Sequence, residues 1–90
     1  MSVVLTRFNV RKVRMEGFSG VVHEVELVEY GGRMFILIRD CDDRVLIDCH
    51  SKLIVCYDLN LPPLIMAKSK LSKVVEETVS ELGGLVIKVK

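Results

Sequence analysis

The sequence predicts an α+β fold: a single antiparallel sheet of five or six strands in meander order, one helix in the C-terminal half packed on one face, and a final strand. Three observations support this. Short apolar segments separated by turn residues fill the first part of the 90-residue chain. A segment with helical periodicity follows Pro62 and Pro63, and a short apolar run closes the chain. This length suits one domain spanning residues 1–90.

The first strands are predicted from alternation of apolar and polar side chains. Val3–Phe8 alternates, and the pattern continues with one break toward Met15. Gly17–Gly20 predicts a turn, because glycine and serine favour turn conformations. Val21–Val28 then alternates regularly, which is typical of a strand with one face in the core.

The middle of the chain predicts further strands of a meander. Gly31-Gly32 predicts a tight hairpin turn, because glycine readily adopts the positive φ that such turns need. Met34–Ile38 is apolar on both faces and forms the next predicted strand. A second turn is expected at Cys41–Arg44. Val45–Ile47 and Leu53–Tyr57 are expected to add strand to the same sheet.

A helix is predicted in the C-terminal third. Asn60-Leu61-Pro62-Pro63 interrupts the sheet, and proline is tolerated at the first position of a helix. Gly83-Gly84 predicts the end of the helix, and Leu85–Val89 the final strand. The residues at helical spacing are Leu64, Leu71, Val74, Val75, Thr78 and Leu82.

The apolar segments predict a symmetric homodimer. Met34–Ile38 and Leu53–Tyr57 are apolar on both sides, as strands buried on both faces are. One helix covers only one face of a sheet, and a large uncovered apolar face is rare on a monomer. We therefore expect a second subunit to cover the other face. A sheet curled into a half-barrel is the alternative.

Composition favours an intracellular protein. The sequence has no apolar run long enough to cross a membrane and begins without a secretory signal, so we expect a cytoplasmic location. It lacks Gln and Trp, has only two Asn, and balances acids with bases, which is thermophile-like. The odd set of Cys41, Cys49 and Cys56 argues against a secreted disulfide framework and favours structural thiols, although one disulfide is compatible with the sequence.

Catalytic and metal-binding patterns are weak. Thiolate, imidazole and carboxylate groups can bind zinc, but these cysteines lack the close pairing of structural zinc sites, so no metal or other cofactor is predicted. No nucleophile-elbow or phosphate-loop motif is present. A small metal-dependent nuclease or hydrolase built on the acids between Asp40 and Asp48 and on a histidine is the least favoured function. The cluster considered is Cys41, Asp42, Asp43, Asp48, Cys49, His50, Cys56 and Asp58.

Charge is distributed unevenly along the chain. The formal net charge is +1, yet residues 1–15 contain four bases and no acid, so nothing nearby in the sequence compensates them. Arginine and lysine side chains bind phosphate, and lysines at a helix start add to the anion preference of the helix N-terminus. The candidate anion-binding or nucleic-acid-binding residues are Arg7, Arg11, Lys12, Arg14, Lys68, Lys70 and Lys73.

These patterns favour a small non-enzymatic binding or assembly module that contacts DNA or RNA through the basic segments. The alternative is a protein–protein interaction or oligomerisation module without nucleic acid, which would use Glu24 and Glu26 on the polar face of a strand. No motif assigns the chain to a known family.

Overall fold

The computed structural model describes residues 9–41, 46–67 and 70–88, of which 40, 41 and 46–48 are described by their backbone alone. The strands are β1 (Val10–Glu16), β2 (Val22–Tyr30), β3 (Arg33–Cys41), β4 (Pro63–Ala67) and β5 (Leu85–Lys88). The helices are α1 (Leu46–Leu59) and α2 (Lys73–Glu81).

The five strands form one mixed sheet in the order β1-β2-β3-β4-β5. Pairing is antiparallel between β1 and β2 and between β2 and β3. It is parallel between β3 and β4 and between β4 and β5. The fold is α+β, but the predicted antiparallel meander with a single helix was wrong, because two strand pairs are parallel and a second helix is present.

Helix α1 occupies a segment for which strands were predicted. Between residues 49 and 59, its buried side chains are Cys49, Leu53 and Cys56, which recur at the spacing of one helix face. Ile54 and Val55 are β-branched and favoured a strand, but an apolar run this short fits either structure. Burial of one helical face against the sheet outweighs that local preference.

Strand β4 occupies the predicted start of the C-terminal helix. All five of its residues are buried, and it lies between β3 and β5. A central parallel strand is covered on both faces and therefore has no polar alternation in its sequence. Pro63 is its first residue, where proline is tolerated. The helix begins only at Lys73, after Ser72, whose side chain accepts a hydrogen bond from the Val75 amide at 3.3 Å.

Several local predictions are confirmed. Gly31 and Gly32 have φ values of 61° and 77° and form the β2–β3 turn. Predicted strands correspond to β2, β3 and β5, with ends shifted by a few residues. Predicted strand Val3–Phe8 lies outside the described residues, and β1 covers the later part of that pattern.

Apolar side chains are buried on both sides of the sheet. One cluster lies between the sheet and both helices and includes Ile36, Ile65, Leu53 and Val75. The other lies on the opposite face and comprises Val28, Phe35, Leu37, Leu64 and Met66, each no more than 6% exposed. These side chains are buried within one chain, so a second subunit is not required to cover them. The homodimer remains a prediction, but an uncovered apolar sheet face no longer supports it.

Several large apolar side chains of the described residues are nevertheless exposed, and the three most exposed are Phe18, Ile54 and Tyr57. Phe18, in the turn between β1 and β2, is 84% exposed. On α1, Ile54 is 67% and Tyr57 60% exposed. Within the described ranges, no helix combines the length and apolar character that crossing a membrane requires.

Candidate functional site

Strands β2 and β3 separate partway along their length. Their pairing runs from Tyr30 opposite Arg33 to Leu27 opposite Ile36, and the register does not continue beyond that pair. The earlier part of β2 pairs with β1, and the later part of β3 pairs with β4. A cleft of about 510 Å³ lies where the strands part. We call it the β2–β3 cleft; its lining residues are Lys12, Val22, His23, Glu24, Val25, Glu26, Ile36, Leu37, Ile38, Arg39, Lys52 and Val55.

The cleft combines apolar and charged side chains. Three cations reach it from three elements: Lys12 from β1, Arg39 from β3 and Lys52 from α1. Arg39 donates to Glu26 through Nε at 3.2 Å and Nη2 at 3.1 Å, which fixes its guanidinium. Both partners are partly exposed, so this pair contributes only about 0–1 kcal/mol to stability. The lysines are the cations available for a ligand.

The predicted basic segment lies beside acids of the next strand. Lys12 is opposite Glu26, and Arg14 is opposite Glu24. Directly opposite residues of antiparallel strands share a face, with Cβ atoms about 5 Å apart. The absence of local counter-charge inferred from the sequence was therefore wrong: β2 supplies it.

The structure separates the predicted anion-binding residues. Val13 and Met15 pack against the cluster beneath the helices, so Lys12 and Arg14 lie on the opposite face of β1, which is an outer strand of the sheet formed by the described residues. Helix α2 contacts β5 at the other edge of the sheet. The predicted residues at its start are Lys70 and Lys73, both exposed. Those that lie outside the described residues are Arg7 and Lys68.

A second polar group joins the β1–β2 turn to the end of α1. The Asp58 carboxylate accepts hydrogen bonds from the Ser19 amide at 2.8 Å, Ser19 Oγ at 2.6 Å and His23 Nε2 at 2.7 Å. The Phe18 amide donates to the Asp58 carbonyl at 2.9 Å. A Cβ atom at Gly17 would collide with this carboxylate, so the contact requires glycine there. We call these contacts the Asp58 clasp.

The clasp lowers the pKa of Asp58 to about 2. The largest cause is the hydrogen bond from the Ser19 side chain, followed by those from His23 and the Ser19 amide. Each stabilises the ionised carboxylate.

These residues do not form a catalytic triad. In a triad the histidine stands between serine and carboxylate and removes the serine proton. Here the carboxylate stands between Ser19 and His23, and Ser19 Oγ donates to it. The hydroxyl is bound to the carboxylate and not to the histidine, so the order of groups that a triad requires is not met.

The structure places His23 against Asp58. The sequence patterns did not indicate the roles of Ser19 and Asp58, which are 39 positions apart. A Gly-Phe-Ser-Gly turn alone gives no signal for that pairing.

The cysteines favour structural roles. Burial raises the pKa of the Cys56 thiol to about 12, so it is neutral at physiological pH and a poor nucleophile or metal ligand. Cys49 is buried and disulfide-bonded. Among the described side chains, no three His, Cys, Asp or Glu residues gather as a metal site. The acids proposed for a nuclease site, Asp40, Asp42, Asp43 and Asp48, have side chains outside the description.

Comparison with known proteins shows a fold likeness. No protein-family model and no curated protein matches the chain. The fold is similar to a crystal structure of a protein of unknown function, AF1548, with a TM-score of 0.64 and 16% sequence identity. The match covers 96% of this chain and 52% of that one, so the chain spans about half the length of the protein it resembles.

Proposed function

We propose that the protein is a small non-enzymatic nucleic-acid-binding module whose phosphate contacts come from β1 and from the rim of the β2–β3 cleft. The observation that carries this proposal is the position of Lys12. It belongs to the basic segment of β1 and also lines the cleft with Arg39 and Lys52. Cations from three elements thus surround one concave opening, an arrangement that attracts anions more strongly than scattered surface charge does.

The neighbouring charges set the expected strength of binding. Arg14 shares the face of Lys12 and extends the basic surface along β1, whereas Arg11 has the parity of Val13 and lies on the other face. Glu24 and Glu26 reduce the positive potential there, because they face the same side as Lys12 and Arg14. Few phosphates are therefore contacted, and binding is expected to be strong only at low salt.

Two matched double variants test the proposal. Changing Lys12→Ala with Arg14→Ala removes two cations from β1, whereas Lys70→Ala with Lys73→Ala removes two from the other edge. Fluorescence anisotropy with labelled DNA and RNA oligonucleotides, over a range of salt, measures the affinity. The first variant is expected to weaken binding and to lower the magnitude of the salt slope by about two. The second should leave both unchanged.

Two outcomes would contradict the proposal. One is that neither DNA nor RNA binds the unmodified protein at low salt. The other is that the α2 variant loses as much affinity as the β1 variant, which would assign the contact to the predicted helix-start lysines instead.

A protein–protein interaction or homodimeric role is the alternative, and the exposed apolar side chains of α1 favour it. Ile54 and Tyr57 lie one helical turn apart and are both mostly exposed. A partner protein or a second copy would bury them. Light scattering after size exclusion measures the oligomeric state, and a dimer that Tyr57→Lys converts to a monomer would support this role.

A further inference from the structure

We infer that the ligand of this interface is single-stranded nucleic acid, with one unstacked base in the β2–β3 cleft and a neighbouring base on Phe18. This inference rests on the proposed function and names its substrate class. It depends on three features: the position of the cleft within the sheet, the groups that line it, and the exposed aromatic ring at its open end.

The position of the cleft excludes a base pair. The cleft lies between two neighbouring strands of one sheet that are still paired at Leu27 and Ile36. Its volume of about 510 Å³ is that of a site for one small ligand. The bases of a duplex are stacked and paired, so a duplex could place a base here only after extruding it. An unpaired base enters without that cost.

The lining suits a flat heterocycle. Val25, Ile38 and Val55 provide apolar contact for the faces of a base. The β2–β3 register does not include residues 22–26 or Leu37, so backbone N–H and C=O groups there can serve the polar edge of a base. Glu24 adds a carboxylate that can accept a hydrogen bond from an N–H group on the edge of a base, such as N3–H of thymine.

Lysine side chains line the β2–β3 cleft from both faces of the sheet. Lys12 lies on the face of the sheet opposite the helices, whereas Lys52 reaches the cleft from α1. A base held between β2 and β3 leaves its sugar-phosphate backbone at the rim, where one of these lysines is available on either face. The phosphates flanking the bound nucleotide therefore meet positive charge on whichever side they lie.

Phe18 stands beside the open end of the cleft. The turn that carries it directly precedes Val22 and His23, the cleft residues farthest from the Leu27–Ile36 pair. The Asp58 clasp fixes this turn, and so does the hydrogen bond from the Gly17 amide to the Val21 carbonyl at 2.9 Å. An 84% exposed ring on a fixed backbone is a stacking surface of the kind found in single-strand-binding proteins, where aromatic rings accompany basic grooves.

The experiment compares a short labelled oligothymidylate with a labelled hairpin duplex, each titrated with the unmodified protein at low salt. The single strand is expected to bind at least about tenfold more tightly, since one stacked base accounts for a factor of that size. Phe18→Ala should lower the single-strand affinity about tenfold and leave the duplex affinity unchanged. Tyr30→Ala is the matched control, because Tyr30 is an exposed aromatic at the other end of β2. This variant should bind the single strand with the same affinity as the unmodified protein. Circular dichroism verifies that each variant is folded.

Nuclear magnetic resonance locates the base. With oligothymidylate, the amide signals that shift should be those of 22–26 and 37–39, as well as those of the Phe18 turn. Equal affinity for single strand and duplex, or no effect of Phe18→Ala, would overturn the inference while the proposed function stood. Absence of binding to either form would overturn the proposed function itself.

Discussion

His23 Nε2 lies 2.7 Å from Asp58 Oδ2, and this contact joins β2 to the last turn of α1. The same carboxylate holds Ser19, so it fixes the β1–β2 turn and the cleft residue His23 together. One side chain therefore links the end of the β1–β2 hairpin to the end of α1. Four predictions test this arrangement and the fold around it.

The Asp58 clasp should make stability depend on pH in acid. The pKa of Asp58 is about 2 in the folded protein and has an ordinary value of 3.8, so the folded state binds fewer protons than the unfolded state between these values. Its stabilisation is fully present above the ordinary value and is lost as the pH falls toward the folded value. Denaturant unfolding at several pH values measures it. Asp58→Asn should be less stable than the unmodified protein at neutral pH, and the difference should shrink in acid. A difference that stays constant down to the folded pKa would contradict the clasp.

Gly17→Ala should destabilise the protein by about 1–3 kcal/mol, the usual cost of overpacking. The added Cβ has no room beside the Asp58 carboxylate. Thermal unfolding measures the effect. Val21→Ala changes an exposed residue of the same turn and should shift the midpoint little. If both variants unfold at the midpoint of the unmodified protein, the turn does not pack on α1 in this way.

Neighbouring substitutions in α1 distinguish a helix from a strand. Leu53 is 2% exposed and Ile54 67%, as the helix requires. Leu53→Ala should cost about 2–5 kcal/mol. Ile54→Ala should stay within about 0.5 kcal/mol. Equal and large losses at both positions would instead fit a strand buried on both faces. Chemical denaturation supplies both values.

The two buried cysteines should differ in reactivity. Cys56 should resist alkylation in the native protein and react once the chain is unfolded, because it is buried and its pKa is raised to about 12. The peptide that contains Cys49 should be labelled only after reduction, since this residue is disulfide-bonded. Mass spectrometry of digests reads both results. Labelling of Cys49 in unfolded, unreduced protein would contradict the disulfide.

The sequence predicted elements whose signals are local. Regular alternation marks β2, and a glycine pair marks the turn into β3. One error then changed the topology. Parallel strands need a long crossover connection, usually a helix, so interpreting the Leu53–Tyr57 run as strand removed the crossover that makes β3 and β4 parallel. Nothing within that run decides the matter, because the buried face of α1 is defined only by its contact with the sheet.

The site was predictable only in part. The cations of β1 stand out in the composition, but the structure places Lys12 and Arg14 on one face of the strand and Arg11 on the other. The β2–β3 cleft results from the loss of pairing between two regular strands, and neither strand contains a glycine or proline that marks the point of separation. Likewise, the acids that lie opposite the basic segment become its neighbours only through the antiparallel register.

The position of β1 as an outer strand of the described sheet also bears on edge-to-edge pairing between molecules. An outer strand presents unpaired backbone groups that can extend the sheet into another molecule, and charged side chains discourage such pairing. Arg11, Lys12 and Arg14 occupy three of five consecutive positions there. Two such strands brought side by side would oppose cation to cation. The charges proposed to bind the ligand should thus also oppose edge-to-edge pairing, and variants that remove them should be handled at low protein concentration.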